Sequence, residues 1–104
     1  MAVRRIDASQ RGGRVRVAAG DLVQISLPEN PSTGYRWELD RLPVGTHLVG
    51  DHVERRRQAA PGAAGLRVLT IRVHKGGTLS ACLRRAWEAA APVATFTVTV
   101  TVDD

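Results

Sequence analysis

The chain has 104 residues, 43% of them apolar and 24% charged, the proportions of an ordinary folded protein with enough sequence for one core and hardly two. No apolar run is long enough to span a bilayer, and the single cysteine, Cys82, excludes an internal disulfide and any multi-cysteine metal site. The formal charge of +5 suggests anionic partners, yet apart from the run Arg55–Arg57 the arginines are scattered and few aromatics lie between them, so neither nucleic acid nor a membrane is expected as partner.

The opening MAVRRIDASQ carries charge with no apolar block after it, so no secretory signal is read in this chain, which leaves the cytoplasm or export through a segment not present. Short strand candidates follow at Val3–Ala8 and Arg14–Ala18, separated by the turn residues Gly12 and Gly13. In DLVQISL, residues 21–27, Val23, Ile25 and Leu27 alternate with polar residues, the period of a strand with one buried face. GYRWELD continues the pattern with Tyr35, Trp37 and Leu39, and these aromatics read first as core residues.

Between those two strands stands NPSTG. Pro31 fixes its own φ and pushes Asn30 toward an extended backbone, Gly34 is free to take a positive φ, and the side chains of Asn30, Ser32 and Thr33 are able to bond nearby backbone. That chemistry predicts a rigid loop, more elaborate than a strand connection requires.

RRRQAAPGAAG, residues 55–65, is the expected mobile segment. LRVLTIRV follows as a strand carrying Leu69, Ile71 and Val73, and Gly76-Gly77 reads as a hairpin turn. TLSACLRRAWEAAAP has Leu79, Cys82, Leu83, Ala86, Trp87 and Ala90 at helical spacing, whereas period two gives a strand face of Leu79, Ala81 and Leu83 followed by a loop from Arg84 to Pro92. ATFTVTVTV is the clearest strand, with Ala94, Phe96, Val98, Val100 and Val102 alternating with threonines. Six or seven strands punctuated by Gly, Pro and Asp predict an all-β sandwich or barrel in one domain, 1–104.

Catalytic chemistry finds little support. Cys82 reads as a small buried thiol rather than a nucleophile, His47, His52 and His74 as solvated loop residues, and no metal or cofactor is expected. Gly76-Gly77 after Lys75 opens no phosphate-binding pattern, and Pro31 disqualifies Asn30-Pro31-Ser32 as a glycosylation acceptor.

Asn30-Pro31-Ser32-Thr33-Gly34-Tyr35, followed by Trp37, resembles the NPTTG(Y/F)xW motif of chagasin-type inhibitors of papain-like cysteine peptidases. Gly62-Ala63-Ala64-Gly65 resembles that family's glycine-rich second loop, and Arg85-Ala86-Trp87-Glu88 its RPW motif, all in the family's order. The resemblance implies an immunoglobulin-like β-sandwich of about seven strands, and it favours the strand-plus-loop reading of residues 79–92. It also implies a monomeric, reversible and noncovalent peptidase inhibitor whose Asn30–Tyr35 loop enters the active-site cleft, with loops 62–65 and 85–88 bracing it. On that reading Trp87 is an exposed anchor; as part of a helix it would be a core aromatic. Ser32 keeps the hydroxyl of the family's Thr, Ala64 stands for a Gly, and Ala86 for a Pro releases a backbone constraint. The alternative function is an immunoglobulin-like module with a non-peptidase partner.

Overall fold

Alternating apolar residues turn inward from two facing sheets. The computed structural model describes residues 2–54, 65–85, 87 and 91–103. Among them are eight strands, β1 (Val3–Asp7), β2 (Arg14–Ala18), β3 (Asp21–Glu29), β4 (Tyr35–Arg41), β5 (Thr46–Glu54), β6 (Gly65–Val73), β7 (Gly77–Arg85) and β8 (Ala94–Asp103). Single 3₁₀ turns at Ala8–Gln10 and Pro31–Thr33 are the only helical pieces in the described residues. One sheet has the order β1-β3-β6-β5 and the other β2-β8-β7-β4. β1 runs parallel to β3 and β2 parallel to β8, while the remaining pairs are antiparallel.

The core follows from period-two patterning. Val23, Ile25 and Leu27 of β3 and Leu69, Ile71 and Val73 of β6 meet Leu79 and Ala81 of β7 and Phe96, Val98 and Val100 of β8. Each of these Val, Ile, Leu and Phe side chains contributes roughly 1.5–3 kcal/mol when taken out of water. Trp37 joins this cluster, as its alternation predicts, whereas Tyr35 is only half-buried at the start of β4. Cys82 is buried, and no metal-binding group of three or more side chains exists among the described residues.

The all-β sandwich matches expectation, with eight strands in place of about seven. The additional strand, β5, is an edge strand paired only with β6, and Thr46 is its single buried residue. A bulge between Leu48 and Gly50 leaves Val49 without a partner and breaks the alternation that would have marked it. His47 and His52 lie on this strand rather than in loops, and the His47 ring faces that of His74 at 6.2 Å. The Gly76-Gly77 pair is likewise not a hairpin, because β6 and β7 belong to different sheets. Gly76 is needed for close approach: a Cβ there would sit 2.8 Å from the carbonyl oxygen of Val100.

Residues 77–85 choose the strand over the helix because β7 is hydrogen-bonded on both sides, to β4 and β8. Pairing along two edges outweighs the local preference of Ala and Arg. The strand extends through Arg85, two residues into the segment expected to be loop.

Register fixes where the motifs emerge. Glu29 pairs with Gly65, Glu54 with Leu66, Tyr35 with Arg85 and Leu83 with Ala94. Since residues 30–34 cross between the sheets, these strand ends all lie at one end of the sandwich.

Candidate functional site: one rim of the sandwich

The loop after β3 is held by its own side chains. Asn30 Oδ1 accepts hydrogen bonds from the Ser32 N–H at 3.0 Å and the Ser32 hydroxyl at 2.7 Å. The Asn30 carbonyl accepts from the Thr33 N–H at 3.2 Å and the Thr33 hydroxyl at 2.8 Å. Thr33 Oγ1 in turn accepts from the Tyr35 N–H at 3.2 Å. Pro31–Thr33 thereby close into a 3₁₀ turn, and Gly34, at φ +81°, reverses the chain into β4. Ser32 and Thr33 remain exposed at the tip.

A second motif meets the first. Arg85 Nε donates to the Thr33 carbonyl at 3.0 Å, and its guanidinium lies 4.3 Å from the Tyr35 ring centroid and 6.0 Å from that of Trp87. Stacking of this kind is worth about 0.5–2 kcal/mol and orders the cation together with both rings. Trp87 rests against Gly34 while 71% exposed, the largest aromatic surface the protein offers to solvent. A large exposed aromatic on a rigid support is characteristic of an interaction surface. The helix-core alternative for Trp87 is thus excluded.

Of the second motif, Gly62, Ala63 and Ala64 lie outside the described residues, as do Ala86 and Glu88 of the third. The expected mobility of 55–65 falls there too, except that Gly65 is the buried first residue of β6, paired with Glu29 at the foot of the first loop. A cleft lined by Gly34, Tyr35, Val53, Arg67 and Trp87 runs from the first and third motifs to the strand ends that flank the second.

Beneath the rim is an ionic support that sequence reasoning missed. Glu29 and Arg67 are buried and joined by two bonds, Nε to Oε1 at 3.1 Å and Nη2 to Oε2 at 2.8 Å. Arg67 Nη1 also donates to Asp51 at 2.8 Å. Burial opposes the guanidinium charge, but the bonds and charges of Glu29 and Asp51 outweigh it and hold the Arg67 pKa above its usual value. Glu29 further accepts the Trp37 backbone N–H at 2.7 Å, and the Trp37 indole N–H donates to the Pro28 carbonyl at 2.7 Å. These bonds tie β3, β5 and β6 to β4 of the opposite sheet directly below NPSTG. The sequence did carry a signal: Glu29 and Arg67 each occupy an inward position of an alternating strand, in phase with Leu27 and Leu69.

Residues 16–102 match the family model described as chagasin family peptidase inhibitor I42. The chain belongs to the chagasin family. That family consists of peptidase inhibitors rather than enzymes. Chagasin of Trypanosoma cruzi is 42% identical over 33 residues, which are 32% of this chain and 30% of chagasin's own length. The crystal structure of the cysteine protease inhibitor EhICP2 from Entamoeba histolytica superposes with a TM-score of 0.84 at 23% identity, covering 98% of this chain and 96% of that one. The solution structure of Amebosin gives 0.74 at 25% identity, covering 96% and 97%. PbICP-C, in complex with falcipain-2, gives 0.51 at 18% identity, covering 97% and 89%. The fold is therefore the immunoglobulin-like β-sandwich of chagasin-type proteins.

Proposed function

We propose that residues 1–104 form one inhibitory domain that blocks papain-like cysteine peptidases reversibly and without a covalent bond. The Asn30–Tyr35 loop enters the active-site cleft, Thr33 leads, and loops 62–65 and 85–88 brace the enzyme on either side. Family membership and the complex of PbICP-C with falcipain-2 support the target class. The observation that carries the reading is the contact between motifs: Arg85 donates to the Thr33 carbonyl, and Trp87 lies on Gly34.

The physical logic is obstruction by a preformed shape. The Asn30, Ser32 and Thr33 side chains already have partners within the loop, so little conformational entropy remains to be lost on docking, a saving of about 0.5–1.5 kcal/mol for each side chain already fixed. Nothing at the tip requires chemistry from the enzyme. Titration of papain or a cathepsin-L-like peptidase should show inhibition that is relieved on dilution. Full peptidase activity at micromolar concentrations of folded protein would reject the proposal, and capture of a non-peptidase partner through the same rim would favour the alternative binding-module function.

A further inference from the structure

Five of the arginines that are scattered in sequence are gathered by the fold on β1, β2 and the turn between them. β1 and β2, the first strands of the two sheets, form one lateral flank. Ala8–Gly13 joins them at the rim end, and at the other end the Asp21 carboxylate accepts the Ala2 and Ala18 N–H groups, each at 3.0 Å. Val3–Ala18 holds Arg4, Arg5, Arg11, Arg14 and Arg16 against Asp7, and with Asp21 and Asp103 beside it the flank is net +2. All five arginines are exposed. Arg16 pairs with Asp103 at 2.8 Å, and the other four have no carboxylate at ion-pair distance among the described residues. Asp7 is occupied in capping the 3₁₀ turn, where it accepts the Ser9 N–H at 2.9 Å. The described part of the opposite flank, residues 35–54 with β4 and β5, carries Arg36 and Arg41 against Glu38, Asp40, Asp51 and Glu54, a net −2 with neutral histidines, and the Arg55–Arg57 run that follows it in sequence lies outside the described residues.

Two features select the partner. The chain's four aromatic residues, Tyr35, Trp37, Trp87 and Phe96, all lie off this flank, so it offers no platform on which nucleic-acid bases could stack. The flank also runs into the rim: a depression lined by Arg5, Asp7, Ser9, Pro28 and Leu66 connects it to the feet of the first and second loops. A partner seated on the rim would present its adjoining surface to these arginines.

We propose that the β1–β2 flank is an electrostatic docking surface for an acidic target peptidase, setting how fast the complex forms while the rim sets how long it lasts. The inference rests on the inhibitory function proposed above. A net positive charge on one side acts over about a Debye length, roughly 10 Å at 0.1 M salt, and orients the approach before contact. Charges at the margin of an interface chiefly alter association rate and its salt dependence.

The test compares two doubly substituted proteins of equal net charge, Arg4→Gln with Arg14→Gln on the flank, and Arg41→Gln with Lys75→Gln away from it. Association and dissociation rates are measured with a cathepsin-L-like peptidase of net negative charge at 20 and 300 mM salt, beside retention on heparin and on duplex DNA. The flank variant should associate about 3- to 10-fold more slowly than wild type at low salt, with dissociation unchanged and the difference lost at high salt. The Arg41/Lys75 variant should associate as wild type does. Equal association by all three proteins overturns the proposal, as does flank-dependent retention on heparin or DNA without a change in peptidase association, which would reassign the flank to polyanions. Absence of inhibition by the wild type removes both readings, whereas normal inhibition with an unaltered association rate removes this one alone.

Discussion

The indole of Trp87 covers Gly34 so closely that a methyl group on Gly34 would overlap its six-membered ring. The glycine serves two needs at once, the positive φ of +81° that turns the chain into β4 and the flat seat on which the third motif meets the first. Gly34→Ala should cost about 1–2 kcal/mol from backbone strain, a fall in Tm of roughly 5–10 °C, and should displace the indole. Thermal unfolding with tryptophan fluorescence checks this, together with an inhibition constant weakened at least tenfold. Unchanged emission and inhibition would show that the two loops do not depend on this contact.

The Glu29–Arg67 pair is expected to matter through asymmetry. Arg67→Met leaves the Glu29 carboxylate buried beside Asp51 without its cation, a loss of about 3–5 kcal/mol, whereas Glu29→Gln combined with Arg67→Met removes both charges and should recover a good part of it. Urea unfolding of the single and double variants measures the difference. Losses that simply add would contradict the buried-pair account.

Asp21 makes the join between β1 and β2 depend on pH. The Ala2 N–H, then the Ala18 N–H, favour its ionised form and lower its pKa below the usual aspartate value. The stabilisation is therefore complete above the unfolded-state value, about pH 4, and disappears as pH falls through the lower folded-state value. Asp21→Asn should lower Tm at pH 7 and match wild type at the acid end of the same series. A Tm deficit independent of pH would assign the effect to something other than the carboxylate charge.

How much could be read from the sequence depended on whether each element's neighbours left a trace in it. β3 and β8 announce themselves because one face is buried and the other wet, and NPSTG announces a built loop because each of its side chains has a local bond to make. β5 was illegible: an exposed edge interrupted by a bulge has no reason to alternate. Residues 79–90 were ambiguous because strand pairing with β4 and β8, which decides the outcome for β7, is non-local. Tyr35 follows the core's phase yet lies at the rim under Arg85, since alternation tells which side a residue faces but not how near it is to the sheet's end. The arginine flank was hidden for a related reason: β1 and β2 belong to different sheets, and only the topology sets them side by side.

The central claim is that the rim acts through a preformed surface anchored by Trp87, and Trp87→Ala tests it most directly because the side chain is 71% exposed and contributes little to the core. Tm should stay within the range of a surface substitution, about 0.5 kcal/mol, while the inhibition constant toward a papain-like peptidase rises about 30-fold or more, as for loss of an anchor worth 2 kcal/mol. Inhibition as strong as that of the wild type, by a variant with unaltered Tm, would contradict the account.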